Sequence, residues 1–247
     1  MSFQTIFKRK ELKYVITKQQ KDCVMQAMQC HMKADEYGRT AIRNLYFDTD
    51  TYRLARRSME KPVYKEKLRA RSYGIPSGDT LVFLEIKKKY RSVVYKRRIP
   101  LPFRQFEAWL FGKEELPDQS QISREIEYFF FYYQTLKPVV FLSCEREAYA
   151  SLDGSDFRVT FDENICARNW GLKLDSLSDG IPVLEKDRTL MELKVTGAMP
   201  LWMSHLLTEQ WIYPASFSKY GEAYRKLLSS CCLPDGRLGR MEELRYG

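Results

Sequence analysis

The 247-residue sequence has only two histidines, His31 and His205, and its six cysteines (Cys23, Cys30, Cys144, Cys166, Cys231 and Cys232) include no C-x-x-C pair. That excludes a zinc centre of the usual His/Cys kind, and the thiols read as reduced and mostly buried. There is no G-x-x-x-x-G-K-[ST] segment and no kinase Gly-rich loop, so neither standard route to nucleotide phosphates applies. No run approaches a membrane span: the longest apolar stretch, "YFFFYYQTLKPVVFL", is broken by Lys137 and Pro138, and "MSFQTIFKRKELKY" has no signal-type apolar core. A cytoplasmic location is expected. No internal repeat, low-complexity tract or Pro/Gly-rich linker divides the chain, so one domain over 1–232 is expected, followed by a polar tail over 233–247. Acidic residues are also scarce relative to basic ones, 32 against 41, which leaves a net charge of +9 and directs attention to polyanionic partners.

Thr17 and Gln20 form a capping-box pattern that predicts a helix through about Met32, with Val24, Met28 and Met32 at core spacing. A short helix is expected to follow "DTDTYRLARRSM". Others are expected at 102–111, at 122–135, around His205, and over "SFSKYGEAYRKLLSS" with a cap near Ser216 or Ser218. Between them lie strand candidates at 7–15, 41–48, 62–73, 80–90, 92–101, 139–150, 156–163 and 188–195. Eight such strands without regular helical crossovers predict an α+β protein built on an antiparallel β-barrel, with helices packed outside.

Alternation along these strands is the main signal, because successive side chains face opposite sides. In "VYKEKLRARSYG", Lys65, Lys67, Arg69 and Arg71 share a face, with Leu68 and Ala70 behind them. Arg9, Glu11 and Lys13 share another, as do Glu85, Lys87 and Lys89, then Lys96 with Arg98. Arg146 faces away from Glu145 and Glu147. Asp156, Arg158, Thr160 and Asp162 lie together, opposite Phe157, Val159 and Phe161, and Glu192 lies with Lys194. One charged face is an ordinary solvated surface. Six or seven, each backed by apolar residues, predict a barrel turned inside out: a wet tunnel whose like charges are tolerable only around an anionic ligand and a divalent cation. Tyr64, Tyr73, Tyr90 and Tyr95 are expected outside or at the rims.

The segments "RKELKY", "YFDT", "KEKLRAR", "LEIKKKY", "CEREAY", "FRVTFD", "MELKV" and "SFSKY", in that order, resemble the VTC domain, the polyphosphate polymerase branch of the triphosphate tunnel metalloenzymes, related to the CYTH proteins. The resemblance implies an eight-stranded antiparallel tunnel and a metal-dependent phosphotransferase. In that role it would pass the terminal phosphate of ATP, or another nucleoside triphosphate, to a growing polyphosphate chain. It implies phosphate-gripping roles for Lys13, Arg69, Arg71, Lys87, Lys96, Arg146, Arg158 and Lys219, and a metal role, with Mn²⁺ or Mg²⁺, for Glu192 assisted by Glu11 and Glu85. Lys65, Lys67, Arg9, Lys89, Arg98 and Lys194 extend the polyphosphate-binding surface. The wider superfamily opens with E-x-E-x-K, whereas this chain has Arg9 at the first position, one metal ligand fewer and one phosphate contact more.

Two other readings are carried forward. A tunnel triphosphatase acting on inorganic triphosphate or nucleotides would use the same groups, with Glu11 or Glu85 orienting water. A binder of polyphosphate or single-stranded nucleic acid would stack bases on the tyrosines, but it has no use for Glu192 among its cations, so no nucleic acid partner is expected. Orthophosphate or triphosphate as acceptor, a membrane partner for the product, and oligomeric state are left open.

Overall fold

The computed structural model describes residues 10–60, 62–91, 93–117 and 120–231, apart from the side chains of 228–231. The elements run β1 (Lys10–Thr17), α1 (Lys18–Met28), β2 (Met32–Ala34), β3 (Thr40–Asp48), α2 (Arg53–Met59), β4 (Tyr64–Tyr73), β5 (Leu81–Tyr90), β6 (Val93–Pro102), α3 (Phe103–Leu110), α4 (Gln121–Tyr133), β7 (Lys137–Ser151), β8 (Arg158–Arg168), β9 (Ile181–Pro182), β10 (Arg188–Val195), α5 (Leu201–Glu209) and α6 (Lys219–Cys231). The eight strand candidates all form. Arg9 and the tail over 233–247 lie outside the described residues.

All pairings are antiparallel, in the order β1-β10-β8-β7-β3-β4-β5-β6, with β2 beside β7 and β9 beside β8. The eight long strands curl into the expected barrel-like wall. Among the described residues the end strands β1 and β6 are not paired by backbone. A side-chain bridge links β5 to β1 instead, with Lys87 Nζ 2.7 Å from Glu11.

The outer faces are apolar and covered. Leu68, Ala70, Leu84, Ile86 and Ile99 pack against Phe103 and Phe106 of α3 and Ile126 and Phe129 of α4. Tyr14, Ile16, Phe161, Met191 and Leu193 pack against Val24 and Met28 of α1 and Met203 and Leu207 of α5. The α1 capping box forms, with Gln20 N donating to Thr17 Oγ1 at 3.1 Å and Thr17 N to Gln20 Oε1 at 3.0 Å. The helix stops at Met28 rather than Met32. Met32 instead pairs with Ser151, where the β7 ladder satisfies its backbone while its side chain stays buried.

α6 packs differently from the other helices. Ile42, Val140, Leu142, Ile165 and Leu190 cluster with Tyr220, Ala223 and Leu227. Their strand parity places the first three on the same side as Asn44, Tyr46 and Arg146, so α6 covers part of the inner face. The switch on β8 comes at Asn164, whose φ of 50° lies in the left-handed region. There the β7–β8 register slips between Ser143/Cys166 and Glu145/Glu163, so β8 carries one extra residue and Ile165 and Ala167 turn inward.

Candidate active site

The curled sheet and α6 enclose a cavity of about 1030 Å³. Lys13, Arg69, Arg71, Lys87, Lys96, Arg146, Arg158 and Lys219 all line it, as do Lys65, Lys67, Lys89, Arg98 and Lys194, with the carboxylates Glu11 and Glu192. Regular alternation is sufficient to bring these residues together, because each lies on the inward parity of its strand or on the first turn of α6. Glu145 and Glu147 face away, held by Arg39.

The cations are held in place by three carboxylate nodes. Asp162, fully buried, accepts two bonds from Arg146 (2.6 Å each) and pairs with Lys219. Glu192 lies 2.9 Å from Lys219, 3.5 Å from Lys13 and 3.4 Å from Arg146. Glu85 binds Arg69 at 2.7 Å and Lys96 at 2.7 Å. Tyr46 accepts from Arg69 at 3.2 Å, and Asn44 Oδ1 accepts from Arg71 at 2.9 Å. The guanidinium groups of Arg69, Arg71 and Arg146 are therefore partly tethered from behind.

These pairings set the charge states. Burial would raise the carboxylates, but surrounding cations outweigh it. Lys87 and Lys194 hold Glu11 at about 2, Arg146 and Lys219 hold Asp162 at about 2, and Glu85 and Glu192 are likewise pulled far below the usual range. Burial works the other way on the lysines. It lowers Lys96 to about 7, with Glu85 opposing and Arg69 and Arg71 assisting. It lowers Lys194 to about 8, assisted by Arg146, and pulls Lys67 well down among Lys13, Lys87 and Lys65.

Glu85 does not join Glu11 and Glu192. It is 1% exposed, does not line the cavity, and serves to position Arg69 and Lys96. Among the described residues no three His, Cys, Asp or Glu side chains are placed to hold a metal by themselves. Glu192 and Glu11 nevertheless offer hard oxygen donors at the cavity wall. That fits a Mg²⁺- or Mn²⁺-like ion whose remaining ligands are phosphate oxygens and water. Cys144 also lines the cavity, but burial and then Asp162 push its thiol up to about 12, so it stays protonated.

Sequence parity had Asp162 on the inner face but did not show that it anchors Arg146 and Lys219. It missed Asn44 and Tyr46 because they are neutral, while the cation of that strand, Arg43, faces outward and donates to Leu174 O at 2.6 Å. Of the four tyrosines expected outside or at the rims, Tyr73 lines the cavity and the other three do not.

An antiparallel wall curled around a cation-lined, carboxylate-braced cavity is a tunnel-type architecture suited to an anionic guest. The family model of the VTC domain matches residues 8–228, and the chain belongs to that family. Among solved structures it is similar to a candidate adenylate cyclase from Bacillus halodurans (TM-score 0.57, 15% identity, covering 87% of this chain and 96% of that one). It is also similar to a candidate adenylyl cyclase from Hippeastrum with a dominant triphosphatase activity (TM-score 0.55, 15% identity, 92% and 98% covered). These two show the shared fold, that of the triphosphate tunnel proteins. A search of curated proteins found no match.

Proposed function

We propose that this protein is a polyphosphate polymerase, transferring the terminal phosphate of ATP or another nucleoside triphosphate to the end of an inorganic polyphosphate chain held in the cavity. The observation that carries this reading is the state of the carboxylates. Glu11, Asp162, Glu85 and Glu192 are all ion-paired and held far below neutral basicity, which makes them poor general bases. Hydrolysis asks for a base or an orienting group for water. An anionic phosphate acceptor needs no base, and the cations lining the cavity are there to orient it.

Phosphoryl transfer depends mainly on alignment and charge neutralisation. Arg71 and Arg158 offer guanidinium forks to pairs of phosphate oxygens, Arg69 and Arg146, whose forks already grip Glu85 and Asp162, offer their remaining N–H groups, and Lys13, Lys87, Lys96 and Lys219 act as point charges. Lys65, Lys67, Lys89, Arg98 and Lys194 hold the flanking phosphates, and Arg9 is assigned with them. Glu192, with Glu11, would hold Mg²⁺ or Mn²⁺. When bound, such an ion would supply positive charge against the phosphate oxygens. The fixed positions of the cations mean that little reorganisation is needed as charge shifts to the leaving group.

Hydrolysis of triphosphate is the second reading, supported by the dominant triphosphatase activity of the Hippeastrum protein. Incubating purified protein with ATP and Mn²⁺ separates the two. Accumulation of long anionic chains on a gel is the expected result, and phosphate release without chain growth would reject polymerisation in favour of hydrolysis.

A further inference from the structure

Four aromatic side chains line the cavity: Tyr46, Tyr73, Phe217 and Tyr220. Tyr46 and Tyr220 stack on each other at 4.5 Å and are buried, at 5% and 1% exposure. Phe217 is partly buried against the inner apolar cluster. Tyr73 alone of the four presents a large open face, at 44% exposure. It is the last residue of β4, one same-face step of about 7 Å beyond Arg71 and two beyond Arg69.

The ring is braced. Phe83 of β5 meets it edge-on, with centroids 5.8 Å apart and planes at 78°. Arg98 of β6 lies over the Phe83 ring, 4.6 Å from its centroid. Fixing Tyr73 from behind lowers the entropy that a stacking partner would otherwise have to offset. At the opposite end of β4 the cavity wall holds Lys65, Lys89, Ser58 and Arg225, and no open ring among the described residues. Tyr73 is therefore the one open ring on the cavity wall among the described residues, beside the arginine grip and away from Lys65 and Lys89, with Arg158 and Lys194 toward the same end of their strands.

We propose that Tyr73 forms a base-stacking subsite for the nucleotide substrate, and that the nucleotide lies with its base at the Tyr73 end and its terminal phosphate pointing toward Lys67 and Lys65, where the inorganic chain is held. This rests on the nucleotide-using reading above and adds a direction to it. Inorganic polyphosphate has no π face to stack on the Tyr73 ring, whereas any nucleobase does. Stacking reads a face rather than an edge pattern, so the subsite accepts different bases and favours the larger purines.

Calorimetric binding of ATP and of inorganic tripolyphosphate to wild type, Tyr73→Ala, Tyr73→Leu and Tyr73→Trp tests it. Both non-aromatic variants should lose affinity for ATP by about tenfold or more while keeping that for tripolyphosphate, which also reports an intact fold, and Tyr73→Trp should retain or tighten ATP. ATP affinity unchanged in Tyr73→Leu, or lost equally for both ligands, would overturn the subsite and leave the polymerase reading standing. Wild-type protein that binds tripolyphosphate but shows no nucleotide affinity would overturn both.

Discussion

At the residue scale, the inner file of β4 divides by tether. Arg69 and Arg71 are held by Glu85, Tyr46 and Asn44, whereas Lys67 donates to Ser218 Oγ at 2.9 Å and Lys65 to Ser58 O at 3.2 Å near the other end. Replacing either arginine with Ala should lower turnover at least tenfold, since charge-assisted contacts that strengthen in the transition state are worth on the order of 2–4 kcal/mol. Lys65→Ala and Lys67→Ala should mainly weaken retention of long polyphosphate and change its salt dependence. Turnover and long-chain binding, measured in parallel on all four variants, check this. Glu192→Gln should abolish divalent-dependent turnover while preserving or tightening polyphosphate binding, because it removes a negative charge from a site of cations. Lys96 gives a pH signature. Its amine, brought down to about 7 by burial, binds anions only when protonated, so bound phosphate raises its pKa and binding takes up a proton. Affinity for tripolyphosphate should therefore weaken as pH rises through about 7, and Lys96→Arg should flatten that part of the profile, since ionisation of the ligand is common to both proteins.

At the element scale, placement of α6 depends on one buried carboxylate. α2 begins with Tyr52 in a left-handed conformation (φ 53°) and has no side-chain cap at that position. Asp48, fully buried, substitutes for it. The carboxylate accepts from Thr49 N (2.8 Å), Leu54 N (2.9 Å), Ala55 N (2.9 Å) and the Tyr220 hydroxyl (2.6 Å). The last bond ties α6 to α2 one residue from Lys219. Tyr220→Phe should cost about 2 kcal/mol in denaturant unfolding, the value of a hydrogen bond to a charged acceptor, and should lower turnover through Lys219. The strands were legible in the sequence because alternation is a local property: Leu68 and Ala70 behind Arg69 and Arg71 are enough to orient β4. The position of α6 was not. Its amphipathic pattern shows that one side must be buried, but whether it packs on the convex or the concave face depends on Val140, Leu142 and Leu190, which come from strands remote in sequence. Glu85 illustrates the same limit, since parity gives its direction and only the assembled neighbours show that Arg69 and Lys96 take up its carboxylate.

At the scale of the whole molecule, the fold stores electrostatic repulsion. A chain of net charge +9 concentrates many of its cations around one cavity, where a polyanion relieves repulsion that ions in bulk solution only screen. Tripolyphosphate at about a hundredfold excess over its low-salt Kd should raise the unfolding temperature by roughly 5–10 °C in low-salt buffer, and the same ligand concentration should give a smaller rise at high salt, where screening weakens binding; differential scanning fluorimetry across a salt series checks this. The extra residue at Asn164 bears on the same division of the interior. Before it, β8 points Arg158, Thr160 and Asp162 inward; after it, Ile165 and Ala167 take that side while Arg168 faces outward and donates to Trp170 O at 3.0 Å. The border between the hydrated and dry halves of the interior is thus a slip in counting, an odd step in a code of twos. Deleting that single residue would keep Ile165 and Ala167 inside and Arg168 outside while straightening the strand, whereas regular pairing that retained it would turn Arg168 toward the greasy flank of α6; the odd step is what lets one continuous strand serve both halves.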